Sequence, residues 1–129
     1  MILLDTHVLV WASLSRRKLS RAAESAIRRA GAQGVLAISA ISLLELARLI
    51  AADRIERRGT VRETIDSLTA GVLVIPITAE IAALTAYLPA DFPSDQADRA
   101  IAATAQAEGV ALVTADVRIQ ACPLVKTVW

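Results

Sequence analysis

Short apolar runs, each too brief for a helix and separated by helix-length segments, constrain this chain more than any other feature. Ile2-Leu3-Leu4, Val35 to Ile38, Val72 to Ile75 and Val110 to Val113 are apolar throughout and rich in Val, Ile and Leu. A fifth run, Leu124 to Val128, is entered through Pro123. Unbroken apolar runs read as strands buried on both faces. Strands that alternate with helices read as a parallel sheet covered by helices on both sides.

The intervening segments carry helix signals. Val8 to Leu14 forms a short helix with Val8, Trp11 and Ala12 on one face, followed by an exposed basic turn, Arg16-Arg17-Lys18. Ser20 caps a helix to about Ala30, which Gly31 and Gly34 stop. Ser42-Leu43-Leu44-Glu45 has capping-box spacing and predicts a helix to about Ala52, with Leu43, Leu46, Ala47 and Ile50 facing the core. Thr60 caps Val61 to Thr69, and Thr78 caps a helix holding Ile81, Leu84 and Leu88. Pro89 and Pro93 bracket a loop, and Ser94 or Asp95 caps a helix from Gln96 to about Glu108, ended at Gly109.

Composition narrows the function classes. The 129 residues suit one domain over 1–129 with a real core. At 55% hydrophobic but 3% aromatic, that core is built of Ala, Leu, Ile and Val. One cysteine, Cys122, excludes an internal disulfide framework, and one histidine, His7, excludes a Cys/His metal site and a His-based hydrolase. Neither a basic n-region nor a small-residue cleavage site precedes the first strand, so no signal peptide and a cytoplasmic location are expected. Val72 to Leu88 carries only Glu80, but Pro76 divides it into a strand-like and a helix-like half. A membrane span needs ~20 apolar residues, so no span is expected. The net charge of +1 conceals an asymmetry: Arg16 to Arg62 holds eleven Lys/Arg and four Asp/Glu, a balance of +7, and the rest carries −6. A basic half can meet a polyanion, or can simply keep an apolar protein in solution.

In open parallel sheets, ligands bind beyond the carboxyl ends of the strands. Asp5 ends the first strand, Glu45 lies in the helix opening after the second, and Asp116 follows the fourth. Asp98 begins the helix leading into the fourth strand. Topology then assigns it to the opposite edge, unless the Pro89 to Ser94 loop lets that helix enter from the functional side. Taken singly, Asp5, Glu45 and Asp98 suit helix starts, and Asp116 suits a turn. Jointly they say more. Asp98 shares an apolar helix face with Ile101, Ala102 and Ala105, and a carboxylate there must be paired or bind a cation. Clustered carboxylates raise one another's pKa unless a cation neutralises them. An oxygen-only cluster selects Mg²⁺ or Mn²⁺ over Zn²⁺, and such an ion can activate water against a phosphodiester. An aspartyl-phosphate phosphatase with Asp5 as nucleophile fits less well, because the second acid expected two residues on is His7. A nucleotide-binding reading lacks a Gly-rich phosphate loop.

Four segments, in order, resemble the PIN domain family in its VapC-like toxin branch. They are Leu3-Leu4-Asp5-Thr6-His7 with Trp11; Ile41-Ser42-Leu43-Leu44-Glu45-Leu46-Ala47; Asp95-Gln96-Ala97-Asp98-Arg99 with Ile101 to Ala105; and Leu112-Val113-Thr114-Ala115-Asp116. Many relatives have proline where this chain has Gln96. The resemblance implies a three-layer α/β/α sandwich around a parallel sheet of about five strands. It also implies an acidic pocket of Asp5, Glu45, Asp98 and Asp116 that binds Mg²⁺ or Mn²⁺, and metal-dependent cleavage of RNA. The implied role is the toxin of a toxin–antitoxin pair, with a VapB-like antitoxin covering the pocket and a homodimer as the assembly. A PIN-like scaffold that binds RNA or protein without cutting is the alternative. Around the acids, Asp95 reads as a cap and Thr114 as a group orienting water or a carboxylate. Thr6 reads as a turn hydroxyl before a carboxylate-orienting one, Arg99 as the ion-pair partner of Asp95 before a phosphate contact, His7 as a locally packed residue, and Trp11 as core or dimer surface before an RNA-stacking platform.

Overall fold

The computed structural model describes residues 1–129. Its strands are β1 (Ile2–Leu4), β2 (Leu36–Ser39), β3 (Leu73–Ile75), β4 (Ala111–Val113) and β5 (Thr127–Val128). They form one sheet in the order β3-β2-β1-β4-β5, with every pairing parallel. The helices are α1 (Thr6–Leu14), α2 (Arg21–Ala32), α3 (Ile41–Ala51), α4 (Val61–Leu68), α5 (Ala79–Thr85), α6 (Gln96–Glu108) and α7 (Val117–Gln120). A 3₁₀ turn, Arg16–Lys18, links α1 to α2.

β1, β2 and β4 are apolar on both faces because each face has its own core, whereas edge strand β3, expected to be buried on both faces, leaves Leu73 and Val74 exposed. Successive side chains of a strand point to opposite faces. Leu3, Ala37 and Leu112 pack with Ile101, Ala102 and Ala105 of α6, Ile119 of α7, and Leu88 and Phe92. Leu4, Ile38 and Val113 pack with Val8 and Leu9 of α1, Ala23 and Ile27 of α2, Leu46 and Ile50 of α3, and Leu68 of α4. The result is the expected α/β/α sandwich. No helix is long and apolar enough to cross a membrane.

Several local expectations hold at the level of single hydrogen bonds. The hydroxyls of Ser20, Thr60 and Thr78 accept from the backbone N–H of Ala23, Glu63 and Ile81, and Asp95 accepts from the N–H of Asp98. Gly109 closes α6 in the left-handed conformation at φ +64°, where a side chain would be strained.

Others need correction. Ser42 does not cap α3: the helix starts at Ile41 after Ala40, and no side chain caps it. Ser42 is instead fully buried inside the first turn, so the capping-box reading fails. Leu43 and Ala47 are only half-buried. Gly31 lies within α2 rather than ending it. The fifth strand shrinks to two residues, and α7 was not foreseen; a four-residue helix is too short to show periodicity.

The sheet order sets the position of the site. The chain runs outward from β1 to β2 and β3, then returns to lay β4 on the other side of β1. The reversal leaves a crevice at the carboxyl ends of β1 and β4, where such sheets hold ligands. Asp98 belongs to this same edge. A crossover helix between parallel strands runs antiparallel to them, so it begins where the preceding strand ended. The assignment of Asp98 to the opposite edge is therefore wrong.

Candidate active site

Asp5 stands at the end of β1, its N–H bonded to the carbonyl of Val113 on β4 (3.1 Å). It is buried, yet its side chain does not cap α1. Its carboxylate accepts instead from the Thr114 hydroxyl (2.8 Å), and Thr114 in turn accepts from the N–H of Asp116 (3.1 Å). Thr114 is fully buried, so this relay locks the turn after β4 onto the end of β1. Burial pushes the Asp5 pKa up, against the pull of the Thr114 hydrogen bond.

A second hydroxyl relay holds Glu45. Fully buried Thr6 donates to Glu45 Oε1 (2.6 Å) and lies 2.8 Å from the Ser42 hydroxyl. Thr6 is therefore a carboxylate-orienting group, not a turn hydroxyl. The other oxygen of Glu45 faces Arg48 at 3.7 Å, an exposed side chain. Ser42 and Glu45, three apart on α3, thus both point at α1.

Asp98, half-buried on the first turn of α6, has its pKa raised to about 6. Burial is the main cause, followed by the charges of Asp95, Asp5, Glu45 and Asp116. Asp98 therefore lies within electrostatic reach of the other three predicted acids. Asp116 differs: the Arg118 guanidinium grips both its oxygens (3.3 and 3.1 Å) and holds its pKa down. Asp5, Asp98 and Asp116 line one cavity of about 410 Å³ with His7, Trp11 and Arg118. Glu45 borders an adjoining cavity of about 230 Å³ with Arg48 and Asp95.

As the side chains stand, no group of three or more His, Cys, Asp or Glu residues converges closely enough to hold a metal ion. Glu45 and Asp116 face Arg48 and Arg118 instead. The donor set is nonetheless all oxygen, and burial, then the neighbouring carboxylates, disfavour the charge on Asp98. These residues fit a hard divalent cation.

One surrounding residue departs from expectation, and another does more than expected. Arg99 does not pair with Asp95: it donates to the carbonyls of Pro93 and Thr85 and lies over the Phe92 ring, tying the loop before α6 to α5. Trp11, half-buried, packs against the core as expected and also lines the cavity. Arg118, which grips Asp116, was not singled out in the sequence. Its spacing two residues after an acid is the only signal it carries.

The PIN domain model matches residues 2–123. This chain belongs to the PIN family. Within that family it is 42% identical over 130 residues to Ribonuclease VapC22 of Mycobacterium tuberculosis, covering 99% of this chain and 98% of that protein. Among solved structures, the PIN fold seen here is similar to that in VapBC2 from Rickettsia felis bound to a promoter DNA fragment. The TM-score is 0.75 at 20% identity, over 98% of this chain and 97% of that one. It is also similar to DNA-bound VapBC from Salmonella typhimurium, with a TM-score of 0.74 at 17% identity, over 98% and 95%.

Proposed function

We propose that the chain, acting as one PIN domain over 1–129, is the toxin of a toxin–antitoxin pair and a divalent-metal-dependent endoribonuclease. The observation that carries this is the meeting of Asp5, Asp98 and Asp116 in one cavity at the crevice of a PIN fold, with Glu45 beside it. The 42% identity to a VapC ribonuclease over nearly the full chain supports RNA as substrate.

Asp5, Glu45, Asp98 and Asp116 would hold Mg²⁺ or Mn²⁺, directly or through water. Bound there, the ion supplies Lewis acidity and charge neutralisation at the scissile phosphodiester. The rest falls to the chain itself. Thr114 and Thr6 fix the orientation of Asp5 and Glu45, so these carboxylates are preset. The arginines between Arg16 and Arg62, with Arg118, hold the RNA backbone, and binding weakens as salt displaces them.

A VapB-like antitoxin is the expected protein partner, in keeping with the antitoxin complexes whose toxins share this fold. A homodimer is supported by the exposed Leu73 and Val74 of edge strand β3 and by exposed Ile77 and Tyr87. Such apolar surface beside an unpaired sheet edge is a liability unless covered. An RNA substrate and a single free cysteine, Cys122, fit a cytoplasmic location.

The test is cleavage of single-stranded RNA with Mg²⁺ or Mn²⁺, with EDTA, and with Asp5→Asn. Metal-dependent cleavage lost in both controls is expected. Cleavage that survives EDTA and the substitution sinks the proposal. Tight RNA binding with no cleavage at all would favour the scaffold reading.

A further inference from the structure

The cavity that holds three of the acids has a wall that hydrolysis does not require. His7 and Trp11 are four residues apart on α1, so they share one helix face, immediately after Asp5. Both line the cavity with Asp5, Asp98 and Asp116. Their rings are 6.3 Å apart and tilted by 52°, and Trp129 backs Trp11 at 6.0 Å. The chain has only five ring-bearing side chains: two Trp, one His, one Tyr and one Phe. Three of them stand in this one cluster, in which partly buried Trp11 and Trp129 also pack against the core beneath α1. His7 is exposed and Trp11 half-buried, so both keep ring surface at the cavity. Exposed Lys18 lies 5.8 Å from the Trp11 ring centre, a cation within reach of a backbone phosphate.

We propose that His7 and Trp11 form a stacking platform for the nucleobase flanking the scissile phosphate, which makes them positioning residues for the substrate strand. This rests on the ribonuclease reading. Aromatic faces stack on any base, so the platform sets the position of the strand and favours unpaired RNA over duplex, whose bases are already stacked. Trp129 holds the indole from behind, and Lys18 shifts from the ring to the phosphate of the stacked nucleotide.

Two measurements test it. The first is cleavage of a single-stranded oligoribonucleotide by wild type, Trp11→Ala, Trp11→Phe and His7→Ala, each on intact RNA and on RNA with an abasic residue beside the cleaved bond. Trp11→Ala is expected to lower kcat/KM on intact RNA by about 10-fold or more, with Trp11→Phe in between, and His7→Ala to lower it less. On the abasic strand all four proteins should converge. Equal losses on both strands would mean a merely structural role and overturn the platform. The second uses the Trp129→Phe protein, in which Trp11 is the sole indole, titrated with the same oligonucleotide in EDTA. Quenching of Trp11 fluorescence by intact but not by abasic RNA is expected. Quenching without any metal-dependent cleavage would uphold the platform and refute the nuclease. Cleavage without quenching would do the reverse.

Discussion

The two walls of the acidic crevice are built differently. The wall made by β1, α1 and α3 holds Asp5 and Glu45 through buried hydroxyls: Thr114 on one, Thr6 with Ser42 on the other. No buried side-chain polar atom in the molecule is left without a partner. The opposite wall, made by the first turn of α6 and the turn after β4, is half-exposed. There Asp98 accepts no side-chain hydrogen bond, and the Asp116 carboxylate is bonded only by Arg118, through its solvent-facing guanidinium and its backbone N–H. Buried neutral donors orient a carboxylate rigidly, because leaving one unsatisfied costs the full desolvation of the group. A surface guanidinium contributes little to stability and can be displaced. One wall is therefore preset, whereas on the other the Asp98 and Asp116 side chains are held less firmly, although Thr114 anchors the backbone of the turn after β4.

The largest effects should come from removing a carboxylate oxygen of a proposed ligand while keeping the shape. Asp5→Asn and Asp98→Asn are each expected to lower metal-dependent RNA cleavage by about 10²-fold or more, comparable to losing a positioned catalytic group. The two should part company in stability. Asp98→Asn removes a charge that its surroundings disfavour, so the metal-free protein should unfold at higher urea near pH 7.5. A decrease would mean that Asp98 is stabilised as a carboxylate, contrary to its raised pKa.

Next in size is Thr6→Val. It strands Glu45 and Ser42 in a buried setting and should cost about 1–3 kcal/mol in urea unfolding. If the loss is negligible, the preset wall is not held by its hydroxyls.

A smaller effect is electrostatic. The folded pKa of Asp98, about 6, lies above its unfolded value, so the folded protein binds the proton more tightly. Stability contributed by this group is present at low pH and is lost as pH rises from the ordinary carboxylate value through about 6. The raised pKa of Asp5 acts in the same direction, and the lowered one of Asp116 in the other, at lower pH. A divalent cation removes the penalty only when the carboxylates are charged. The rise in Tm on adding Mg²⁺ or Mn²⁺ should therefore be larger at pH 7.5 than at pH 5.5. Equal shifts at both pH values would break the link between these acids and the cation.

The smallest expected change is in Arg118→Ala. The side chain is exposed, so the metal-free Tm should barely move. Asp116 then keeps only its bond from the backbone N–H of residue 118 and loses the guanidinium, and the Tm rise produced by Mn²⁺ should grow. A Tm rise that shrinks instead would mean that Arg118 holds Asp116 in the binding arrangement rather than away from it.

Much of this molecule can be read along the chain, because much of it is local. Apolar runs of three to four residues, the caps at Ser20, Thr60, Thr78 and Asp95, and the end of α6 at Gly109 depend on neighbours a few positions away. The parallel sandwich followed from the same pattern, and so did the positions of Asp5 and Asp116 after their strands. The hydroxyl relays were out of reach. Thr6 meets Glu45 across 39 positions and Thr114 meets Asp5 across 109, and nothing local tells such a buried hydroxyl from one in a turn. Ser42 shows how local spacing misleads: its capping-box signature is present, but α3 starts one residue before it, and packing against α1 claims the hydroxyl. Asp98 joined the site through the direction of a crossover helix, a property of the assembled sheet. The rings of His7 and Trp11 acquired a shared cavity with the acids only when α1 closed over the end of β4. Local hydrogen bonding and hydrophobic patterning make the elements, and long-range packing decides which side chains face one another across the crevice.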